Sequence, residues 1–321
     1  MSVTVRRFEK DDADTWDKLI AESRNGTFLH QRRYLSHHGE RFQDLSLVVE
    51  DKRGRITGVF PAALDPAQEE VVTSHPGLTY GGVIHNGYLR GTTMLKVLQA
   101  IAEAYQAIGL RFLQYKAVPY IYHKVPSTDD LYALFRLGAV RYRCDLSAAI
   151  DLTPRWRLSE GRRRHLKKAW RSGVQVALGA SYLESFWAVL EENLAIEYGL
   201  RPVHTLQEIT WLHNTFPEHT ECMVGVVGGE VVAGVVLFCT PQVVHVQYSA
   251  SNATGKSVSA LTAVVDNAVK KSKDLGVRYF DFGISNERGG RELNEGLYGF
   301  KTSFGAGGVV HESYELDLNR A

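Results

Sequence analysis

The sequence predicts an α+β protein of two similar domains, each a mostly antiparallel mixed sheet with flanking helices. Two observations carry that expectation. A β-hairpin pattern occurs twice, and each time it is followed by more strand, then an amphipathic helix, then a strand. A third observation bounds it: 321 residues, 44% hydrophobic and 23% charged, suffice for two soluble domains with cores of ordinary size.

The elements follow in chain order. A helix is expected at Asp11–Ser23. Leu45–Leu64 reads as the first hairpin, turning at Asp51–Gly54, because alternating apolar residues flank a polar, Gly-containing turn. Thr93–Val118 then reads as helix and strand, with Met94, Leu98, Ile101 and Tyr105 on one helical face and Gly109 as the terminating cap. The apolar run ending near Asp151–Pro154 gives way to a basic helix, which places the division at residues 1–152 and 153–321. In the second half a helix is expected at Ser181–Tyr198, and Glu221–Cys239 reads as a hairpin turning at Gly228–Gly229. The second helix–strand unit is Ser259–Ile284, with Leu261, Val265 and Ala268 sharing a face and Gly276 placed like Gly109.

Charge and cysteine content restrict the function classes. The net charge of +1 argues against a generally basic nucleic-acid binder and leaves no expectation of DNA as a partner. Three cysteines (Cys144, Cys222, Cys239) without CxxC spacing suggest buried thiols in a reducing compartment. The N-terminus lacks a signal-peptide core and no segment reaches membrane-spanning length, so a cytoplasmic location is expected. No cluster has metal-ligand spacing.

The stretch Val243–Gly305 carries most of the chemistry. A strand enters the polar loop ASNATGKS (Ala250–Ser257), and a helix read as Ser257–Asp274 leaves it. Helix N-termini favour anions, so Asn252, Gly255, Lys256 and Ser257 are candidate phosphate-binding residues of a donor. The same letters fit a degenerate P-loop, with Asp281 as a would-be magnesium-binding acid. A P-loop normally opens a parallel sheet, and too little chain follows Ser257 to build an NTPase domain.

Taken together, the duplicated order resembles the GNAT acyltransferase fold in its FemAB-like double-domain branch. RRRHLKKAWRSGV at the start of the second half, YFDFG (Tyr279–Gly283) and FKTSFG (Phe300–Gly305) resemble signatures of that branch. SHPGLTYGG (Ser74–Gly82), RPVHT (Arg201–Thr205) and ELNEGLYGFK (Glu292–Lys301) resemble a subgroup associated with polysaccharide biosynthesis. The resemblance implies transfer of an acyl or aminoacyl group onto an amine of a cell-envelope precursor. The usual acetyl-CoA loop is replaced by SNATGKS, and no long charged arm of the kind some aminoacyl-tRNA-using members carry is present. An acyl-CoA donor is the leading expectation, and aminoacyl-tRNA the alternative. A non-catalytic precursor-binding module and a P-loop NTPase are readings of other classes.

Acyl transfer to an amine requires removal of a proton from nitrogen, stabilisation of the carbonyl oxygen and protonation of the leaving group. Tyr248, Asp281, Glu295 and Lys301 are the candidates: Tyr248 as acid, Asp281 as base or as the group orienting one, Glu295 as a weaker base, and Lys301 as the cation at the oxyanion or donor phosphate. Strict alternation would turn His245 away from Tyr248. Arg164 and Lys168 on one face of the basic helix, with His75, Tyr80 and His204, are candidates for binding the precursor.

Overall fold

Two compact units emerge from the computed structural model, which describes residues 3–153 and 156–320. The first contains residues 1–146, 286–292 and 310–321, and the second contains residues 147–285 and 293–309. The C-terminal segment therefore returns to the first unit, a feature the division at 152/153 does not include.

In the first unit β1 (Val3–Arg7), β2 (Leu47–Asp51) and β3 (Ile56–Phe60) form an antiparallel sheet, with α1 (Ala13–Glu22) and α2 (Arg32–Ser36) between β1 and β2. The β2–β3 hairpin is the expected one, and its turn is closed by the Asp51 amide donating to the Arg55 carbonyl at 3.0 Å. Next come β4 (Ala63–Asp65), β5 (Gln68–Thr73) and β6 (Ile84–His85), which joins β3. After α3 (Thr92–Gln106), β7 (Phe112–Lys116) lies parallel to β5. Met94, Leu98, Ile101 and Tyr105 of α3 are buried in one core with Leu47, Val49 and Phe60. Gly109 takes φ +85°, the left-handed conformation that ends a helix without a Cβ clash. The unit also holds α4 (Asp129–Arg136).

β8 (Val140–Asp151) leads into the second unit, where α5 (Glu160–Arg171), β9 (Gln175–Leu178), α6 (Leu183–Tyr198) and α7 (Leu206–Thr215) precede the hairpin of β10 (Thr220–Val227) and β11 (Glu230–Cys239). Gly228 and Gly229 both have positive φ at its two-residue turn, as a twisted hairpin requires. The chain continues through β12 (Val243–Ser251), α8 (Ala253–Val258), α9 (Ala260–Asp274) and β13 (Tyr279–Ile284). β12 and β13 are parallel, whereas β9, β10, β11 and β12 pair antiparallel and β13 pairs antiparallel with β8. Val264, Val265 and Ala268 of α9 bury against Val235, Leu237, Val244, Val246, Phe280 and Phe282. A short ribbon of β14 (Asn286–Glu287) and β15 (Glu292–Leu293) follows, then α10 (Glu295–Thr302) and β16 (Gly307–Asp317), whose Ser313–Asp317 segment pairs with β7 in the first unit.

One element differs from expectation. The helix read from Ser257 to Asp274 is two helices meeting at Ser259, whose φ of +63° interrupts the ladder. The break turns α9 into a separate helix whose own N-terminus starts at Ala260.

Candidate active site

The parallel pairing of β12 with β13 runs only from Val243↔Tyr279 to His245↔Asp281. Past that point β12 follows β11, and β13 bends at Gly283, where φ is +76°. Two strands that part after a short parallel stretch leave backbone and side chains open at the end of the sheet, the usual place for a site in such folds.

At that divergence Asp281 is fully buried and its carboxylate is held on several sides. Oδ1 accepts from the Ser147 hydroxyl at 2.5 Å and the Gly283 amide at 3.2 Å, and Oδ2 meets Nδ1 of His245 at 2.8 Å. His245 was expected on the opposite side from Tyr248, and the structure corrects this. Tyr248 pairs with Val236 and His245 with Phe238, two residues apart on β11 and so on one face. The extra residue is Gln247, which a β-bulge accommodates, shifting the alternation by one.

Lys301 of α10 is 7% exposed, and its ammonium donates to the carbonyls of Gly283 at 2.8 Å and Ile284 at 2.6 Å. An ammonium has three N–H donors, and the third has no partner among the described residues. Burial pushes the Lys301 pKa down to about 8, with the Asp281 charge acting the other way. Asp281, His245 and Lys301 thus converge on Gly283.

A cleft of about 400 Å³ lies in the same unit, bounded by α5, the end of β12, α8, the start of α9, and Leu297 and Phe300 of α10. Arg162, His165, Lys256 and Thr262 line it. The half-buried Arg162 guanidinium donates to Ser303 Oγ at 2.8 and 3.0 Å and to Thr262 Oγ1 at 3.0 Å, and it lies 4.5 Å from the ring centres of Phe300 and Phe304. These partners orient the cation without neutralising it: no carboxylate pairs with it among the described residues. His165 Nδ1 lies 2.9 Å from Ser259 Oγ, beside the first turn of α9. The arrangement suits an anion, which gains from both the unneutralised guanidinium and the helix terminus.

The other candidates are distributed as follows. Gly255 and Lys256 line the cleft, and Lys256 reaches Glu197 at 2.5 Å. Asn252 is the N-cap of α8, accepting from the Gly255 amide at 2.9 Å, and the Ser257 hydroxyl donates to the Thr254 carbonyl at 2.8 Å. Ala253–Val258 is therefore a capped helix rather than a P-loop, and the NTPase reading falls with it. A Cβ at Gly255 would stand 2.2 Å from the Val232 carbonyl, so the glycine is required for α8 to pack on β11. Tyr248 shares a 2.6 Å hydrogen bond with His204 Nδ1 and accepts from the His204 amide at 3.2 Å, which fastens the 199–205 loop to β12. Burial raises the Tyr248 pKa.

Glu295 is exposed in the first turn of α10. Arg164 and Lys168 are exposed on α5, and the face of that helix that meets the cleft carries Arg162 and His165 instead. His75 and Tyr80, candidates for binding the precursor, are packed inside the first unit, only 4% and 3% exposed. His75 adopts φ +61°, and burial lowers its pKa to about 3. The sequence reading missed Arg162 and Ser147, and it set His245 aside. A signal for Arg162 was present in the basic run, but which side of α5 meets the cleft is decided by packing.

Residues 157–292 match the family model described as an acetyltransferase (GNAT) domain. No curated protein matches the sequence. Among solved structures, the fold is similar to that of FemX, with a TM-score of 0.69 at 12% identity, covering 99% of this chain and 98% of that one. A structure of L-PGS from Bacillus licheniformis gives 0.63 at 13% identity over 98% of this chain and 94% of that one. A tandem GNAT protein from the clavulanic acid biosynthesis pathway gives 0.54 at 11% identity over 99% and 98%. At such identities the likeness speaks for the fold, and the domain match speaks for the chemistry. A GNAT domain thus occupies residues 157–292 of a chain whose whole length follows the fold of tandem GNAT proteins, and the protein is an acyltransferase.

Proposed function

We propose that the enzyme transfers an acyl group from an acyl-CoA to an amine of a cell-envelope precursor, a nucleotide-linked amino sugar or a peptide, and that its second unit holds the active centre. The observation that carries this reading is the cleft at the start of α9. Arg162 places an unneutralised positive charge there and the helix terminus adds to it, whereas Lys256 is paired with Glu197, which also lines the cleft. A phosphate-bearing donor fits such a cleft. Catalysis is assigned to Lys301, whose third N–H is supplied to oxygen as negative charge develops on the carbonyl, with Asp281 as the group that orients the base. Tyr248 and His204 hold the neighbouring loop. Acceptor binding by an amine-bearing precursor follows from the resemblance to the polysaccharide-associated subgroup.

One observation favours the aminoacyl-tRNA alternative: Arg163, Arg164, Lys167, Lys168 and Arg171 form an exposed basic face on α5 beside the cleft. A nucleic-acid backbone on that face would make binding steeply salt-dependent.

Titration calorimetry separates the donors. Acetyl-CoA is expected to bind without magnesium, and Arg162→Ala should weaken it about tenfold or more, the loss of a charge-assisted hydrogen bond. Absence of acetyl-CoA binding together with tight, salt-sensitive binding of aminoacyl-tRNA would replace acyl-CoA as the donor.

A further inference from the structure

We infer that His245 is the general base of the transfer and that Asp281 and Ser147 are its positioning residues. The inference rests on the acyl-CoA reading above and adds a residue for which strict strand alternation gave no role. Ser147 Oγ–H donates to Asp281 Oδ1 at 2.5 Å, and His245 Nδ1–H donates to Asp281 Oδ2 at 2.8 Å. An acid at Nδ1 fixes the tautomer: Nδ1 carries the proton and Nε2 is left as the basic nitrogen. Asp281 is buried, whereas the His245 side chain stays 13% exposed and Nε2 makes no hydrogen bond among the described residues.

The position of that ring edge is also informative. A Cβ built on Gly283 would come 3.2 Å from Cε1 and 3.8 Å from Nε2 of His245. The basic edge therefore faces the bare backbone of Gly283, whose carbonyl accepts from Lys301 at 2.8 Å. A base and a spare ammonium N–H both border Gly283, at the point where β12 and β13 part. Asp281 cannot serve as the base itself, because it is fully buried and three donors already occupy its oxygens.

The step balances as follows. The acceptor nitrogen attacks the thioester carbonyl carbon, forming the C–N bond, and gives its proton to Nε2 of His245. The C–S bond then breaks with its electron pair going to sulfur, and the imidazolium returns the proton to the thiolate. The products are an amide and free CoA thiol, with no further reactant. The Asp281 carboxylate stabilises the transient imidazolium and holds the ring in place.

The test is steady-state release of CoA thiol from acetyl-CoA, with glucosamine, UDP-glucosamine and a lysine-containing peptide as acceptor probes. With the best probe, His245→Gln should lower kcat by about a hundredfold or more while the KM for acetyl-CoA stays within about twofold, as removal of a general base does. Added imidazole should restore part of the rate to His245→Ala and none to Lys301→Ala. Asp281→Asn should lower kcat without loss of acetyl-CoA binding. A wild-type rate in His245→Gln, or a His245→Ala defect that imidazole leaves unchanged in a folded protein, overturns the assignment of the base. If the wild type binds no acetyl-CoA and releases no thiol with any probe, the acyl-CoA reading itself fails, and His245 as its base fails with it.

Discussion

Lys301 shows how much one side chain can be asked to do. Two of its three N–H groups close the bend of β13 by capping the carbonyls of Gly283 and Ile284, and one is left over. Lys301→Ala should therefore lower kcat and kcat/KM together by about a hundredfold, as loss of an oxyanion donor does. Equal loss in both parameters separates this role from donor binding, which would raise KM alone. A Lys301→Ala enzyme with wild-type kcat would place the oxyanion elsewhere. Lys301 is a candidate from the sequence because FKTSFG resembles a family signature, but its partners Gly283 and Ile284 lie 18 and 17 residues away and appear only in the fold.

Among the elements, the hairpins and the strand–helix–strand units could be read directly, since each follows from local rules. Gly228–Gly229 supplies two left-handed residues in a row, and the apolar faces of α3 and α9 repeat at helical spacing. What could not be read is where such rules are broken by contacts distant in sequence. The Gln247 bulge reverses which face of β12 carries His245, and it exists only in the register with β11. Ser259 splits one expected helix into α8 and α9, where its hydroxyl meets His165, 94 residues away. Lys256, a candidate for binding donor phosphate, lines the cleft, and its ion pair with Glu197 spans 59 residues. On α5 the candidate face was Arg164 with Lys168, but amphipathic spacing alone does not say which basic residues face the cleft.

Protonation acts on the stability of the whole molecule through groups in both units. Burial lowers the pKa of His30 and His85 to about 4 and of His75 to about 3. The unfolded chain takes protons on these residues near pH 6.5 and the folded protein does not, so the unfolded state binds more protons and stability falls as pH drops from 6.5 towards 4. Burial lowers His123 too, which acts with these three, whereas Asp130, raised to about 6 by burial, acts in the opposite sense between its unfolded value of 3.8 and 6, and Asp17, also raised by burial, acts with it. Lys116 and Lys301, both lowered to about 8 from 10.5, make stability rise as pH increases between those values. The urea midpoint should therefore be lower at pH 4.5 than at pH 6.5, and His75→Gln should shrink the difference. A flat or rising midpoint on acidification would mean that these histidines are not held neutral in the folded protein.

The central claim is that this molecule moves an acyl group from CoA to nitrogen, and the product tests it most directly. Wild-type protein incubated with ¹³C-acetyl-CoA and UDP-glucosamine, glucosamine or a lysine-containing peptide should yield one ¹³C-acetamide, detected by mass spectrometry, in equal amount to the thiol released. Thiol release without a labelled amide would indicate hydrolysis, and a labelled ester would indicate transfer to oxygen. Neither product, with an aminoacyl group transferred to a probe only from aminoacyl-tRNA, would contradict the account.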